Sequence, residues 1–243
     1  MNAIEARGLT KKYKNITAVD SLELTIGQGE LFALLGVNGA GKSTTIKMLS
    51  CLTKPTSGDA LLLGKSIIDA PQELKQMINV SPQETAVAPN LSVRENLELI
   101  YGIYGHSREQ AKQKTAEMLE SLGMTEIAEQ RAKTLSGGWQ RRLSIAMALI
   151  SEPKILFLDE PTLGLDVIAR RELWAMIRKL NGKITIILTT HYLEEAEALA
   201  DRIVIMSGGR LKALGTAKEL IERSQTDNFE DAFLVFVGKE AAL

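Results

Sequence analysis

Short apolar runs, separated by turns and by longer amphipathic stretches, predict a chain that alternates between strands and helices. Alternating apolar and polar positions predict two short strands, Ile4 to Leu9 and Leu22 to Ile26, which we expect to form an antiparallel start. Further apolar runs predict strands at Leu31 to Leu35, Ala60 to Leu63, Met77 to Ser81, Ile155 to Leu158 and Ile184 to Leu188. The run from Ile155 is typical of a central strand in a parallel sheet.

The stretch from Ser92 to Ser151 has a helical character instead. Two capping boxes predict helix starts there, and a glycine follows each predicted helix as its end; the boxes are Ser92 with Glu95 and Ser107 with Gln110, and the glycines are Gly105 and Gly123. We therefore predict a helical subdomain over about residues 84–152, inserted into an otherwise α/β chain.

The end of the chain has a helical pattern as well. Thr216 and Glu219 form a third capping box, and Phe229, Phe233 and Phe236 recur at helical spacing as one apolar stripe. Covering the core is the default role of such a stripe, and a surface for a partner is the alternative. We predict one domain over residues 1–225 and a helical tail over residues 226–243.

Composition narrows the functional classes only a little. The 243 residues carry a formal net charge of −1 without a long run of Lys and Arg, which argues against nucleic acid as a partner. The one cysteine, Cys51, excludes an internal disulfide and suits a reducing cytosol. There is no signal-peptide pattern, and no apolar run approaches the roughly 18 residues of a membrane span. If the protein works at a membrane, we expect another chain to do the spanning.

The segment from Gly36 to Thr44, Gly-Val-Asn-Gly-Ala-Gly-Lys-Ser-Thr, has the spacing G-x-x-x-x-G-K-[ST] between a predicted strand and a predicted helix over Lys42 to Cys51. Its glycines let the backbone curl so that N–H groups converge on a phosphate, and the helix N-terminus adds a positive dipole end. The motif predicts that Lys42 reaches the β- and γ-phosphates and that the Ser43 hydroxyl binds Mg²⁺. A chance match of a glycine-rich turn is the alternative.

Two carboxylates follow the strand from Ile155, where a parallel sheet collects polar side chains at its carboxyl edge. In a phosphate-binding protein of this kind, Asp159 would hold Mg²⁺, directly or through water. Glu160 would accept a proton from an attacking water. A solvated strand end is the alternative for this pair.

Four other positions stay open on the residues alone. Tyr13 would stack on a nucleotide base or lie as an ordinary surface tyrosine, and Gln83 would touch Mg²⁺ or water or only be solvated. His191, beyond a strand end, would contact a γ-phosphate or have no such role. Ser136, Gly137 and Gly138 open a helix and form either a second anion site or an ordinary cap, whereas Ser207, Gly208 and Gly209 predict a hairpin turn without a phosphate role.

Taken in order, these motifs resemble the ATP-binding cassette of ABC transporters over nearly the whole chain. Gly36 to Thr44 looks like Walker A, Ile155 to Glu160 like Walker B and Leu135 to Trp139 like the family signature. Gln83 looks like the Q-loop, Leu163 to Asp166 like the D-loop and His191 like the switch histidine. The resemblance implies a P-loop NTPase of the α/β class, with a mostly parallel central sheet, an N-terminal antiparallel β subdomain and an inserted α-helical subdomain.

The resemblance also implies ATP and magnesium as ligands and assigns the site residues. The ATP site would comprise Tyr13 against adenine and the cradle residues Gly36, Asn38, Gly39, Ala40, Gly41, Lys42, Ser43 and Thr44. Ser136, Gly137 and Gly138 would contact ATP bound to another subunit. Magnesium would be held by Ser43, Gln83 and Asp159, and catalysis would fall to Glu160, His191, Lys42 and Gln83.

Two positions depart from the family pattern, Trp139 where the signature commonly has Gln and Leu163 where the D-loop commonly has Ser. Because Ser136, Gly137 and Gly138 are intact, we expect ATP contact to survive, while rate and subunit coupling are less secure.

The implied partners are a second ATP-binding subunit, identical or closely related, and a multispan membrane permease. Two segments resemble the cassettes of bacterial exporters that pair a separate cassette with a six-helix permease. They are the segment from Asn90 to Gly105 and the Phe-rich tail ending Gly238-Lys239. That likeness implies a cytoplasmic protein held at the inner face of the membrane by its permease. A soluble ABC ATPase of iron-sulfur assembly or of ribosomes is the second class, and a P-loop kinase the third, although a kinase would have no use for Leu135 to Gly138.

Overall fold

The structure, a computed structural model, describes residues 1–238 and contains two sheets with helices packed around them. The smaller sheet is antiparallel and has the strand order β2-β1-β4-β5. Its strands are β1 (Asn2–Tyr13), β2 (Ile16–Gly27), β4 (Ser57–Leu62) and β5 (Lys65–Ser66). Burial alternates over Leu22 to Ile26 of β2, as the period-two pattern predicted, whereas β1 has neighbouring buried residues at Ala3 and Ile4 and at Leu9 and Thr10.

The larger sheet has six strands in the order β10-β9-β3-β8-β7-β6. They are β3 (Leu31–Leu35), β6 (Ile78–Ser81), β7 (Ile155–Asp159), β8 (Thr185–Thr190), β9 (Arg202–Ser207) and β10 (Arg210–Gly215). All neighbouring pairs are parallel except β10 with β9. Every residue of β3, β7 and β8 is buried, which explains their continuous apolar runs, and the carboxyl ends of these parallel strands meet at one edge.

Nine α-helices lie in the described chain. They are α1 (Lys42–Leu49), α2 (Pro71–Leu74), α3 (Val93–Ile103), α4 (Arg108–Ser121), α5 (Gly137–Leu149), α6 (Val167–Arg178), α7 (Leu193–Leu199), α8 (Ala217–Ser224) and α9 (Phe229–Val237). Two short 3₁₀ turns, Thr125–Ile127 and Ala132–Thr134, join α4 to α5. None of the helices in this part of the chain is long and apolar enough to cross a membrane.

The predicted helical subdomain is present and has a core of its own. Both capping boxes that the sequence predicted form reciprocal hydrogen bonds, at Ser92 with Glu95 and at Ser107 with Gln110. Leu97, Leu119 and Leu143, one from each of α3, α4 and α5, are buried together in this core. Because α5 also packs on β6 and β7, the subdomain is tied to the larger sheet through the helix that Ser136 opens.

Several predicted elements have different limits in the structure. Strands β1 and β2 are twice as long as their apolar alternation indicated, because register shifts between them break the alternation without ending the pairing. Strand β8 begins at Thr185 and runs on through Thr190, so that Thr189 and Thr190 also lie inside the sheet. Helix α1 stops at Leu49, before the left-handed Cys51 (φ 58°), and α2 and α7 were not predicted.

The end of the chain is helical, as its pattern predicted. The third capping box, Thr216 with Glu219, opens α8. On α9, Phe229 is buried and Phe233 and Phe236 pack against the same core, which supports their role as core cover. The prediction for the tail also covers residues 239–243, which lie outside the described residues.

Candidate functional site

The phosphate cradle joins the end of β3 to the start of α1 at the carboxyl edge of the larger sheet. A Cβ on Gly36 would lie 2.5 Å from the carbonyl oxygen of Met206, and Gly41 has φ 100° with Ala18 O equally close, so both positions require glycine. The buried Lys42 curls back and donates from Nζ to the carbonyl oxygens of Gly36 (2.7 Å) and Val37 (3.3 Å).

A cleft of about 670 Å³ brings most of the candidate site residues together. Its lining includes Tyr13 and Ile16, the cradle from Asn38 to Thr44 and several polar side chains, but not Gly36 or Asp159. Those side chains are Gln83, Glu160 and His191, with Leu163 beside them. Tyr13 is 45% exposed, so its ring is free to receive a flat partner, and Lys11 Nζ lies 5.0 Å from the ring centre.

Oxygen donors suited to a hard divalent cation meet at the end of β7. The Ser43 hydroxyl donates to Oδ1 of Asp159 at 3.0 Å, and Asp159 is buried. Together with the amide oxygen that Gln83 can supply from the same cleft, this hydroxyl and carboxylate fit Mg²⁺, which prefers oxygen ligands.

Thr189, which the sequence did not indicate, supports the Asp159 carboxylate and the backbone of Glu160 from the neighbouring strand β8. Its hydroxyl donates to Oδ1 of Asp159 at 2.6 Å and accepts the N–H of Glu160 at 3.0 Å. A hydroxyl near the end of a predicted parallel strand is a weak signal, because nothing in one sequence indicates which strand lies alongside.

Glu160 lies between two positively polarised groups. Its Oε2 is 2.5 Å from Nδ1 of His191, and its Oε1 is 3.4 Å from Nζ of Lys42. Glu160 is buried and has φ 49°, so its backbone leaves the strand direction and turns the carboxylate toward the cradle. The arrangement suits a base that receives a proton from water beside a bound phosphate.

Ser136, Gly137 and Gly138 lie at the start of α5 and are not among the described residues that line the cleft. The Ser136 side chain caps α5 by accepting the N–H of Trp139 at 3.4 Å, and no described atom comes within 4 Å of a Cβ placed on Gly137. Ser136 and Gly137 are exposed, so this helix start can be reached from outside the chain, whereas a Cβ on Gly138 would lie 3.0 Å from that of Ala169.

The departures Trp139 and Leu163 occupy different surroundings. Trp139 packs at the edge of the helical core, and the Arg142 guanidinium lies 4.5 Å from its ring centre. Leu163 is 42% exposed at the rim of the cleft.

The predicted hairpin at Ser207, Gly208 and Gly209 connects β9 to β10 as expected. Gly208 nevertheless lines the cleft, and Gly209 accepts the N–H of Asp20 at 2.8 Å. The hairpin thus forms part of the wall near Tyr13.

The buried Arg141, a second residue that the sequence did not indicate, lies on α5 next to the site. Its guanidinium donates to four backbone carbonyl oxygens, of residues Pro82, Gln83, Asp159 and Pro161. An arginine within an amphipathic helix is ordinarily expected at the surface, so its sequence position carried no signal.

Comparison with known proteins gives a consistent result. A model of the ABC transporter family matches residues 19–163. The daunorubicin/doxorubicin resistance ATP-binding protein DrrA of Streptomyces peucetius is 42% identical over 219 residues, which cover 90% of this chain and 66% of DrrA. The linearmycin resistance ATP-binding protein LnrL of Bacillus subtilis is 39% identical, with 96% of this chain and 78% of LnrL covered.

Solved structures agree with the fold. The structure of an ATP-binding subunit of an ABC transporter superposes with a TM-score of 0.84 at 27% identity, covering 97% of this chain and all (100%) of that one. A dimeric post-hydrolysis structure of the ATP-binding cassette MJ0796, bound to ADP and Pi, has a TM-score of 0.78 at 28% identity and covers 88% of this chain and 98% of its own.

A chain with this cradle, these carboxylates and this sheet order is an α/β P-loop protein of the ATP-binding cassette class. It belongs to the ABC transporter family. The chain spans 66% of the length of DrrA and 39% of the probable multidrug ABC transporter ATP-binding protein YbhF of Escherichia coli, to which it is 41% identical.

Proposed function

We propose that this chain binds and hydrolyses ATP as the ATP-binding subunit of an ABC transporter that works in export. Its likeness to drug-resistance relatives supports that direction of transport. The observation that carries the proposal is the position of Glu160, which faces the same cleft as the phosphate cradle and lies 3.4 Å from Nζ of Lys42. A phosphate chain in the cradle would end beside this carboxylate.

Binding follows from the charges of the cleft. The cradle N–H groups and Lys42 take the negative charge of the phosphates, and Tyr13 stacks on the adenine ring. Lys42 now donates to Gly36 and Val37, so a bound phosphate would replace two neutral acceptors with charged ones.

Hydrolysis needs a base and a fixed water. Glu160 accepts the proton of the attacking water, and His191 orients the carboxylate through Nδ1. Ser43, Gln83 and Asp159 would hold Mg²⁺, which supplies charge neutralisation at the phosphate oxygens when it is bound. Thr189 keeps Asp159 in place for that task.

A second subunit completes the site in this proposal. The start of α5 lies outside the chain's own cleft, so Ser136, Gly137 and Gly138 can serve ATP held by a partner's cradle. The dimeric form of the MJ0796 cassette supports this arrangement. ATP bridging two chains would close the pair, and hydrolysis would let it open.

A multispan permease is the other proposed partner, and it would hold the chain at the cytoplasmic face of the membrane. DrrA and LnrL are named for resistance to daunorubicin/doxorubicin and to linearmycin, which supports export. An apolar cleft next to Gln83, lined by Pro82, Ile103 and Tyr104 among others, offers such a partner a contact surface. A soluble ABC ATPase that moves no solute is the competing class.

The decisive experiment measures steady-state ATP hydrolysis and oligomeric state for the wild type and for Glu160→Gln. We expect the substitution to lower kcat by about 10²- to 10⁴-fold and to accumulate an ATP-bound dimer in light scattering. Glu126→Gln, an exposed glutamate on the helical subdomain, is the matched control and should leave both readouts unchanged. Unchanged ATP turnover in Glu160→Gln would contradict the assignment of Glu160 as the base.

Membrane coupling has a separate test. Affinity purification of the chain from detergent-solubilised membranes should recover a multispan protein in stoichiometric amount. Recovery of the active ATPase only from the soluble fraction, without such a protein, would favour the competing class.

A further inference from the structure

We propose that Arg141 is a positioning residue that holds the helix start at Ser136 in fixed register with the chain's own carboxylates and with Gln83. Through it, the half-site that one chain offers to its partner's ATP is linked to the half-site for its own ATP. This inference rests on the proposed function.

The Arg141 guanidinium bridges two separate loops. On one side, Nη1 donates to the carbonyl oxygens of Pro82 (2.5 Å) and Gln83 (3.2 Å). On the other side, Nη2 donates to the carbonyl oxygen of Asp159 and Nε to that of Pro161, both at 2.8 Å. The first loop carries the proposed magnesium ligand Gln83, and the second carries the ligand Asp159. Glu160 is the residue between Asp159 and Pro161, whose carbonyl oxygens both accept from Arg141.

The chemistry of these contacts depends on a guanidinium. Arg141 is 4% exposed and its hydrogen bonds go to neutral carbonyls, so a planar group with five N–H donors satisfies several buried acceptors at once. Burial lowers the pKa of Arg141, while the negative charges of Asp159, Glu195 and Glu160 oppose that change, and the group stays protonated. A lysine ammonium has three donors and no fork, so it cannot reproduce the set.

The position of Arg141 on α5 gives the contacts their functional meaning. It lies five residues after Ser136 on a continuous helix, which corresponds to about 7 Å of rise. Because an α-helix is stiff over that length, movement of the helix start against a partner's nucleotide moves the guanidinium, and with it the loops of Gln83 and Glu160.

The neighbouring arginine shows that the arrangement is particular to residue 141. Arg142 turns to the other side of the helix, where it forms an ion pair with Glu172 at 2.5 Å and lies over the ring of Trp139. It makes no hydrogen bond to either loop among the described residues.

The test compares Arg141→Gln and Arg141→Lys with a control, Arg223→Gln. This control also removes a guanidinium that donates to a backbone carbonyl (Leu214, 2.7 Å), but it lies on α8, none of whose residues lines the nucleotide cleft. Arg141→Gln should lower kcat at least tenfold and abolish cooperativity in ATP concentration, while the Kd for an ATP analogue on the isolated subunit changes less than twofold. Arg141→Lys should recover part of kcat. Arg223→Gln should match the wild type in kcat, in cooperativity and in the Kd for the ATP analogue.

A folded Arg141→Gln protein with wild-type kcat and cooperativity would overturn the inference. If Arg141→Gln does not fold, Arg141→Lys decides, because it keeps the charge and most of the volume: unchanged kcat in that variant overturns the inference equally. A wild type without ATP hydrolysis would instead refute the proposed function, so the two failures are distinguishable.

Mixed dimers test the link between half-sites directly. Two differently tagged copies are combined, one carrying Lys42→Ala, so that a single cradle works. Arg141→Gln is then placed either on the chain with the working cradle or on the chain that supplies Ser136 to it. We expect both placements to slow the working site; an effect from one placement alone would confine Arg141 to one half-site and overturn the link.

Discussion

Thr189 and Asp159 face each other across two parallel strands, and the Thr189 hydroxyl donates to Oδ1 of the carboxylate at 2.6 Å. The same hydroxyl accepts the N–H of Glu160 at 3.0 Å. One side chain of β8 therefore holds both the carboxylate of the proposed magnesium ligand at the end of β7 and the backbone of the proposed base that follows it. The buried Asp159 carboxylate has this neutral partner even without a cation.

Replacing Thr189 by Val keeps the shape of the side chain and removes both hydrogen bonds. We expect kcat to fall by about 10- to 100-fold, as for other residues that support a metal ligand. We also expect the magnesium concentration that gives half of the maximal ATPase rate to rise. Steady-state ATPase assays over a magnesium series measure both. Thr185→Val is the control on the same strand: its hydroxyl accepts the N–H of Gly29 at 3.0 Å, so it should cost stability but not kcat. Wild-type kinetics in Thr189→Val would contradict the role.

A substitution at Gly137 tests whether the start of α5 is a ligand site or only a helix cap. Alanine at this helical position meets no described atom of the chain within 4 Å, so Gly137→Ala should leave the unfolding temperature equal or slightly higher. We nevertheless expect ATP-driven dimerisation and kcat to drop at least tenfold, because the added methyl group lies where a partner's phosphate would approach.

The control for this prediction is Gly102→Ala on α3, another helical glycine with open space around it. It should be as stable as Gly137→Ala and fully active. Normal dimerisation and turnover in Gly137→Ala would identify the Ser136 segment as a cap alone.

Tyr13 tests how the base is held. Tyr13→Ala should raise the KM for ATP about five- to tenfold, equivalent to about 1 kcal/mol of stacking. It should change kcat little, because in the proposed site the ring would contact only the base. Tyr13→Trp should keep the wild-type KM. A fall in kcat at saturating ATP, or an unchanged KM in Tyr13→Ala, would show that Tyr13 has another role.

The buried carboxyl of Glu195 should make the stability of the fold depend on pH. The carboxyl is fully buried and accepts a hydrogen bond from Nε1 of Trp174 at 3.0 Å. Burial raises the pKa of Glu195 above its ordinary value. The folded state therefore binds this proton more tightly than the unfolded state does, so the associated stability is present at low pH and is lost as pH rises toward the folded-state pKa.

Glu195→Gln keeps the acceptor for Trp174 and removes the charge. We expect its free energy of unfolding at pH 7 to exceed the wild-type value by on the order of 1 kcal/mol, with a smaller difference at pH 4. Urea denaturation at both pH values measures this. Greater stability of the wild type at pH 7 would mean that the ionised carboxylate is stabilised in the fold.

Much of the fold was predictable because its signals are local. Helix starts at Ser92, Ser107 and Thr216 were read from capping boxes, which need only four consecutive residues. The central strands were read from continuous apolar runs, since a strand covered on both faces has no polar side. The lengths of β1 and β2 were missed because bulges alter the alternation that a strand pattern requires.

The sequence by itself determined the identity of the cradle, since its glycines and Lys42 follow one another along the chain and act through their own backbone. It also placed Asp159 and Glu160 at a strand end. Only the tertiary structure decided which side chains support them, because Thr189 comes from a strand 30 residues away along the chain and Arg141 from a helix 18 residues before Asp159. Such partners are set by strand order and helix packing, and a single sequence has no local pattern that encodes either.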